Sequence, residues 1–366
     1  MHTTLPRRFY ADPDFYRGEL ERFFFRRWIC AGRADDIPNP GDYFTRTLAD
    51  ESVIVARGTS GVIHAFFNVC RHRGTRLTSD AQGHFVDRIQ CPYHAWTYDL
   101  EGRLLAAPHM PAGFCRDDYP LHRAGCDVWD GHVFVFLGQE GRDVSGQPPA
   151  LGDQLLDLPQ RFEAYRMADL RLARRIVYDV KANWKLIVLN YNECLHCPTL
   201  HPALNKLHHY LGAENVAPTA GYCGGAMGFR DRVETISVDG TRRRRYLPGL
   251  DEVRRRQVEY YSIYPNLLLS LHPDYMMTHT LWPRAHDRTE IVCEWHFHPD
   301  EMARPDFSAD DAVELWDATN REDWWISEQA QAGIQSRAYR PGPYSERESL
   351  LWSFDEIVRR EAERAD

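Results

Sequence analysis

The 366-residue sequence lacks any apolar run approaching the roughly 18 residues that span a bilayer, which removes a membrane-crossing helix from consideration. It also lacks basic excess: 44 Lys and Arg stand against 53 Asp and Glu, a net charge of −9. A duplex-binding protein neutralises phosphates with a basic surface, so nucleic acid is not the expected partner. No hydrophobic stretch follows Arg7-Arg8, so neither a general secretory nor a twin-arginine leader is expected, and the chain reads as cytoplasmic. Internal repeats and low-complexity tracts are missing too. Nine cysteines in a chain of this length argue against a disulfide framework.

What is present is an ordinary globular composition, 43% hydrophobic and 27% charged, in a chain about two domains long. Asp12-Pro13 followed by Phe15, Leu20, Phe23, Phe24 and Trp28 reads as a capped amphipathic helix within an N-terminal segment, 1–41. Residues 42–150 read as a small all-β domain. Val53-Ile54-Val55 and Ile63-Ala65-Phe67 flank a Gly58-Thr59-Ser60-Gly61 turn. Trp96-Thr97-Tyr98, Glu101-Gly102 and Leu104-Leu105 form a second hairpin, and Val133 to Leu137 a buried strand. Gly and Pro between Gln139 and Gln160 mark the boundary. In 151–366, a strand at Arg175–Val180, helical spacing from Trp184 to His196, and strand-like runs at 259–264, 267–271, 276–281 and 290–297 precede a long helix near 310–336 and a charged terminal helix. The fold class is therefore α+β, with an antiparallel sheet and long helices in the second domain.

Two cysteines stand next to histidines. Cys70-Arg71-His72 is followed after eighteen residues by Cys91-Pro92-Tyr93-His94, so each short loop offers one thiolate and one imidazole. Two Cys on one iron and two His on the other make a Rieske [2Fe-2S] centre, with a potential of roughly −150 to +300 mV because neutral imidazoles replace two thiolates. A structural zinc site is the plainer alternative. Zinc fingers usually pair like with like, whereas here every loop contributes one of each, with Gly74 and Pro92 letting the loops turn.

A second constellation lies at Asn190-Tyr191-Asn192-Glu193-Cys194-Leu195-His196-Cys197-Pro198-Thr199-Leu200-His201. Two histidines near a carboxylate suit a facial triad that leaves positions open on a mononuclear Fe(II). His196 and His201 are five apart, so a regular helix would point them roughly 140° from each other. Pro198 between them is expected to break the helix and let His201 swing toward the same metal. Glu193, three residues before His196, is placed on the same helical face, where it can accept from the imidazole. The plainer readings are a helix with incidental histidines or a zinc hydrolase, though the His-Glu-x2-His of zincins is absent. Spacing alone does not choose the third ligand among Asp317, Glu322 and Asp323. Cys194 and Cys197 read as buried packing. The Arg242–Arg245 and Arg254–Arg256 runs read as a solvated hairpin, with a docking patch for an acidic reductase as the alternative. Asn190 is a candidate for holding water or substrate, or for helix packing.

The segments Cys70-Arg71-His72-Arg73-Gly74 and Cys91-Pro92-Tyr93-His94-Ala95-Trp96, with Asn183-Trp184-Lys185 and the iron motif, resemble the α subunits of Rieske non-heme iron oxygenases. The spacer is a little long for that family, which implies an insertion near Gly83. The resemblance implies that Asp323 is the third iron ligand with His196 and His201. It also implies that Glu193, where the family commonly has Asp, bridges His196 to His94 of a neighbouring subunit in a homotrimer. Asn190 to Cys197, Tyr264-Pro265-Asn266 and His272-Pro273-Asp274-Tyr275 are most similar to the quaternary-ammonium branch, acting on choline, glycine betaine, carnitine and stachydrine. The implied partners are O2, a small substrate and a separate NAD(P)H-dependent reductase. Hydroxylation or cis-dihydroxylation of an aromatic compound is the alternative substrate reading. A Rieske electron carrier with a vestigial second domain is the alternative of another class.

Overall fold

A computed structural model describes residues 2–138 and 147–363. The expected boundary stretch from Gln139 onward falls partly, at 139–146, outside the described residues. The chain divides into two compact units, Trp28–Leu151 and a second made of the residues up to Arg27 together with those from Gly152 onward. The expected N-terminal segment 1–41 is therefore split. Its helix belongs to the second unit, and β1 (Ile29–Arg33) opens the first.

In the first unit, β2 (Asp42–Leu48), β3 (Glu51–Arg57), β4 (Ile63–Phe67), β5 (Gln82–His84), β9 (Arg123–Trp129) and β10 (His132–Phe136) join β1 in the order β1-β10-β9-β4-β3-β2-β5, antiparallel throughout. The spacer between the two Cys-His loops carries β5, which pairs with Asp42–Phe44. A smaller sheet, β6 (Ile89–Gln90), β7 (Thr97–Tyr98) and β8 (Leu104–Ala106), carries the second loop. At the turn between β7 and β8, Gly102 has φ +86°, and a Cβ there would lie 2.5 Å from the Phe66 ring, so the hairpin requires glycine. Tyr43, Ile54, Phe66, Leu77, Ile89, Trp96, Tyr98 and Leu121 form a core that also encloses Cys70 and Cys91.

The second unit is built on one antiparallel sheet: β11 (Arg171–Val180), β12 (His208–Asn215), β13 (Tyr222–Phe229), β14 (Gln257–Ile263), β15 (Leu267–Leu271), β16 (Met276–Ala285) and β17 (Arg288–Phe297), ordered β11-β17-β16-β15-β14-β13-β12. β14 to β17 cover the four expected runs. β12 and β13 had no sequence signal, since β12 is mostly exposed and β13 carries Gly224, Gly225 and Gly228 in place of strand-forming side chains. The basic runs are not a solvated hairpin. Arg244 is buried against Asp274 (3.0 Å) and Asp311 (2.5 Å), and Arg254–Arg256 form a short 3-10 turn.

The helix Trp184–Tyr191 begins at Asn183, whose side chain accepts from the Lys185 N–H at 3.0 Å. Its first turn is tied to the N-terminal segment. Lys185 Nζ donates to both oxygens of Glu19 at 2.8 and 2.7 Å, and Trp184 Nε1 donates to Oε2 at 2.8 Å. Both Lys185 and Glu19 are buried. Asn183 N donates in turn to Gln331 Oε1 at 3.0 Å, joining this helix to the long helix Asp310–Ile334. No helix among the described residues is long and apolar enough to cross a membrane. Removing one member of the Glu19–Lys185 pair leaves a buried, uncompensated charge. Lys185→Met should therefore destabilise the second unit by about 3–5 kcal/mol, read as a lowered urea midpoint, whereas a change at an exposed side chain such as Arg337→Met should shift it by under about 0.5 kcal/mol.

Candidate metal centres

The two Cys-His loops have the same backbone construction. In each, the fifth residue donates back to the cysteine carbonyl, Gly74 N to Cys70 O at 3.0 Å and Ala95 N to Cys91 O at 3.2 Å. Each cysteine N–H then donates to the sixth residue, Cys70 to Thr75 O and Cys91 to Trp96 O, both at 2.8 Å. The fifth residue is left-handed in both, φ +73° at Gly74 and +54° at Ala95. This pair of matched turns brings the His72 and His94 rings to 4.7 Å, while Trp96 stacks on His72 at 4.9 Å. Tyr98 Oη accepts from Arg71 N at 3.1 Å and lies 3.4 Å from Cys70 Sγ. Burial pushes the Cys70 thiol up, and the adjacent Cys91 sulfur adds to the effect. His72 Nδ1 is buried with no partner among the described residues. Two buried sulfurs and an unsatisfied imidazole nitrogen, brought together by matched turns, fit an iron–sulfur cluster.

In the second unit the path to the histidines differs from the helical expectation. The helix ends at Tyr191, and Asn192 turns back, donating to Val188 O (2.7 Å) and Ser262 Oγ (2.8 Å). Glu193 thus reaches His196 through a turn and not along a helical face. One carboxylate oxygen accepts from the Leu195 N–H, and the other faces His196 Nδ1 at 2.5 Å. Pro198 does not break a helix. It sits in the first turn of the short helix Cys197–Leu200, where its missing N–H costs nothing, and His201 N closes that turn on Cys197 O at 2.9 Å. The break lies upstream, at 192–195.

These turns place the His196 and His201 rings 5.0 Å apart, nearly perpendicular. The long helix delivers Asp323 between them: Oδ1 is 2.8 Å from His201 Nε2 and 3.4 Å from His196 Nε2. The three acids left open by spacing have different partners. Asp317 accepts from Tyr178 Oη (2.7 Å) and Arg321 (3.0 Å), and Glu322 faces His201 Nδ1 at 2.6 Å. Each imidazole therefore has Asp323 near Nε2 and its own outer carboxylate, Glu193 or Glu322, at Nδ1. The Glu322 contact was not foreseen, because adjacent helix positions give no sign of which one turns toward His201. Cys194 and Cys197, expected as separate packing groups, are joined in a disulfide; the other described cysteines are free. Cys197 Sγ falls within 4.8 Å of the two histidine donors, but a disulfide sulfur carries no thiolate.

Burial disfavours a charged imidazole, yet Asp323 and Glu193 outweigh it and push His196 up to about 9. His201 is raised in the same way, with Asp323 and Glu322 overcoming its burial. Burial would raise the Asp323 carboxyl, but the two imidazoles hold it below its usual value. The pocket is thus built for positive charge. Two imidazoles and one carboxylate converging on one point, with both Nδ1 positions spoken for, fit a single metal ion.

A cavity of about 360 Å³ opens beside this triad, walled by Tyr210, Met227, Tyr260, Trp316 and Leu204, with Asn190 also on its lining. The Asn190 side chain makes no hydrogen bond to another described residue.

Comparison with known proteins agrees with this geometry. Residues 167–363 match the ring hydroxylating alpha subunit (catalytic domain) family, and residues 27–124 match the Rieske [2Fe-2S] domain. The chain belongs to the ring-hydroxylating α subunits of Rieske non-heme iron oxygenases, and its cofactors are a [2Fe-2S] cluster and a mononuclear iron. It is 32% identical to the glycine betaine monooxygenase oxygenase subunit of Pseudomonas aeruginosa, over 93% of this chain and 85% of the other. It is 28% identical to the choline monooxygenase of Spinacia oleracea, over 93% and 74%. The quaternary ammonium Rieske monooxygenase CntA, solved with L-carnitine, superimposes with a TM-score of 0.80 at 25% identity, covering 99% of this chain and 96% of CntA.

Two outcomes follow for the iron site. In the metal-free protein His196 stays protonated up to about 9, against 6.5 for a free side chain. Its ion pairs stabilise the metal-free fold fully below the unfolded value, and that contribution fades as pH rises through the folded one. A metal ion held by His196 must displace that proton. Fe(II) affinity should therefore rise between pH 6.5 and about 9, with proton release visible by calorimetry in buffers of different ionisation enthalpy. Glu322→Gln should weaken Fe(II) binding by roughly 10–100-fold, leaving the visible spectrum of the cluster unchanged.

Proposed function

We propose that this oxygenase hydroxylates an N-methyl carbon of a quaternary ammonium compound, after which the hydroxymethyl product collapses to formaldehyde and a demethylated amine. The observation that carries this reading is the convergence of His196, His201 and Asp323 at one side of an aromatic-walled cavity. Tyr260 and Trp316 stand 6.2 Å apart at 74° on that wall. A quaternary ammonium offers no N–H, so ring faces are its natural partners, each cation–π contact contributing roughly 0.5–2 kcal/mol.

The ligand assignment is part of the same proposal: Cys70, His72, Cys91 and His94 hold the cluster, and His196, His201 and Asp323 hold the iron. When bound, the cluster supplies single electrons and the iron a site for reducing dioxygen. Glu193 fixes the His196 ring through Nδ1 while remaining only partly buried, and so can also be reached from outside the second unit. His94 is partly exposed as well. A report on CntA describes inter-subunit electron transfer, which supports pairing Glu193 with His94 of a neighbouring subunit in a homotrimer. Asn190 would hold water or substrate at the cavity. An oxygenase subunit implies a separate reductase that supplies electrons from NAD(P)H, and we place the assembly in the cytoplasm.

With a reductase, the purified trimer should consume O2 and NADH only when a quaternary ammonium compound is present, releasing one formaldehyde per O2. Turnover of aromatic acids alone would refute the reading. Metal analysis should give about three irons per chain, against two for an electron carrier. Glu193→Ala should keep both metals and lose turnover; substantial remaining activity would remove Glu193 from the electron path.

A further inference from the structure

The cavity has a charge axis. Its lining carries Asp323, committed to the two imidazoles, and the buried Trp316 with Tyr260 beside it. At the rim are Glu346 and Arg347, both exposed. Arg347 is the one Lys or Arg among the lining residues.

Two arginines near it in sequence are engaged. Arg359 pairs with Glu356 at 2.9 Å, and Arg340 donates to the Arg337 and Tyr339 carbonyls at 3.1 and 2.8 Å. The Arg347 side chain has no hydrogen bond or ion pair to any described residue. Its backbone is nonetheless held. Tyr344 N donates to His2 O at 2.9 Å, and Tyr344 Oη donates to Asp355 at 2.7 Å. Ser345 N donates to Glu348 Oε2 at 2.7 Å, and the helix Ser349–Glu363 starts immediately after. A permanently charged fork is thus carried on an anchored segment, and neither neighbouring carboxylate, Glu346 or Glu348, forms an ion pair with it among the described residues.

This polarity matches a zwitterion. A quaternary ammonium settles against the ring faces, and an anion settles outward, against a guanidinium able to grip it with two parallel N–H donors. Building on the quaternary ammonium reading above, we propose that Arg347 is the specificity-determining residue that binds the carboxylate of a betaine. The substrate class of this cavity is then carboxylated quaternary ammonium compounds, not choline-type alcohols. The same axis sets which carbon reacts: with the carboxylate tethered at the rim, an N-methyl is presented to the inner end.

The test uses the holoenzyme with its reductase and a panel of glycine betaine, γ-butyrobetaine, carnitine and choline, followed by formaldehyde release. Equilibrium dialysis of the labelled compounds gives an activity-independent reading. The wild type should favour a carboxylated member over choline. Arg347→Gln should raise KM and Kd for that member about ten-fold or more with kcat little changed, while choline is unaffected; Arg347→Lys should recover part of the loss. Preference of the wild type for choline overturns the Arg347 assignment alone. So does an equal loss on choline and betaine in Arg347→Gln, or no loss on either. If no quaternary ammonium compound is turned over or bound, the functional reading falls and this assignment with it.

Discussion

The second unit is organised around one electrostatic constraint: a carboxylate, Asp323, held against two imidazoles at the wall of a cavity. Charges so placed are costly unless each is compensated. Asp323 is compensated by His196 and His201, and these by Glu193 and Glu322 behind them. Without a metal, His196 holds its proton up to about 9, and His201 is shifted in the same direction by Asp323 and Glu322. With a metal bound there, the same outer acids would orient neutral rings.

Holding that constraint takes elements far apart in sequence. The histidines come from two successive turns after Tyr191, and the carboxylate comes from a helix more than a hundred residues later. That helix is locked by Gln331 to Asn183, by Asn320 to His279 (3.1 Å) and by Trp316 to the Tyr275 hydroxyl (2.8 Å). The helix before the histidines is locked by Lys185 to Glu19, which is why the first residues of the chain belong to this unit and not to the one that follows them. A shift of about 1 Å in either helix would separate the donors, so the buried polar contacts at some distance from the metal are part of the site's geometry.

The Rieske loops solve a different problem with more local means. Each thiolate–imidazole pair comes from four consecutive residues or fewer, and each turn is closed by two backbone hydrogen bonds of its own. The loops therefore need from the rest of their unit little beyond a β-scaffold that sets them side by side and a core that shields the sulfurs. Such a site can be read from residue types and spacing, because most of its geometry lies within a few residues of the ligands.

The sequence by itself pointed to the two-domain α+β layout, the two Cys-His loops and the His196–His201 pair, because strand alternation, turn residues and short-range spacing are local properties. It also pointed to the Glu193–His196 contact, though through the wrong geometry: a helical face was expected where a turn exists. Only the tertiary structure showed that Asp323, and not Asp317 or Glu322, lies within reach of both histidines, since three acids on one helix are told apart by what lies opposite them. It alone showed Glu322 behind His201, the Cys194–Cys197 disulfide, the buried Arg244 and the glycine-bearing strand β13. Each depends on a partner distant in sequence or on a turn that spacing does not encode. Arg347 is the extreme case: nothing beside it in the sequence distinguishes it from its neighbours, and only the cavity it borders does.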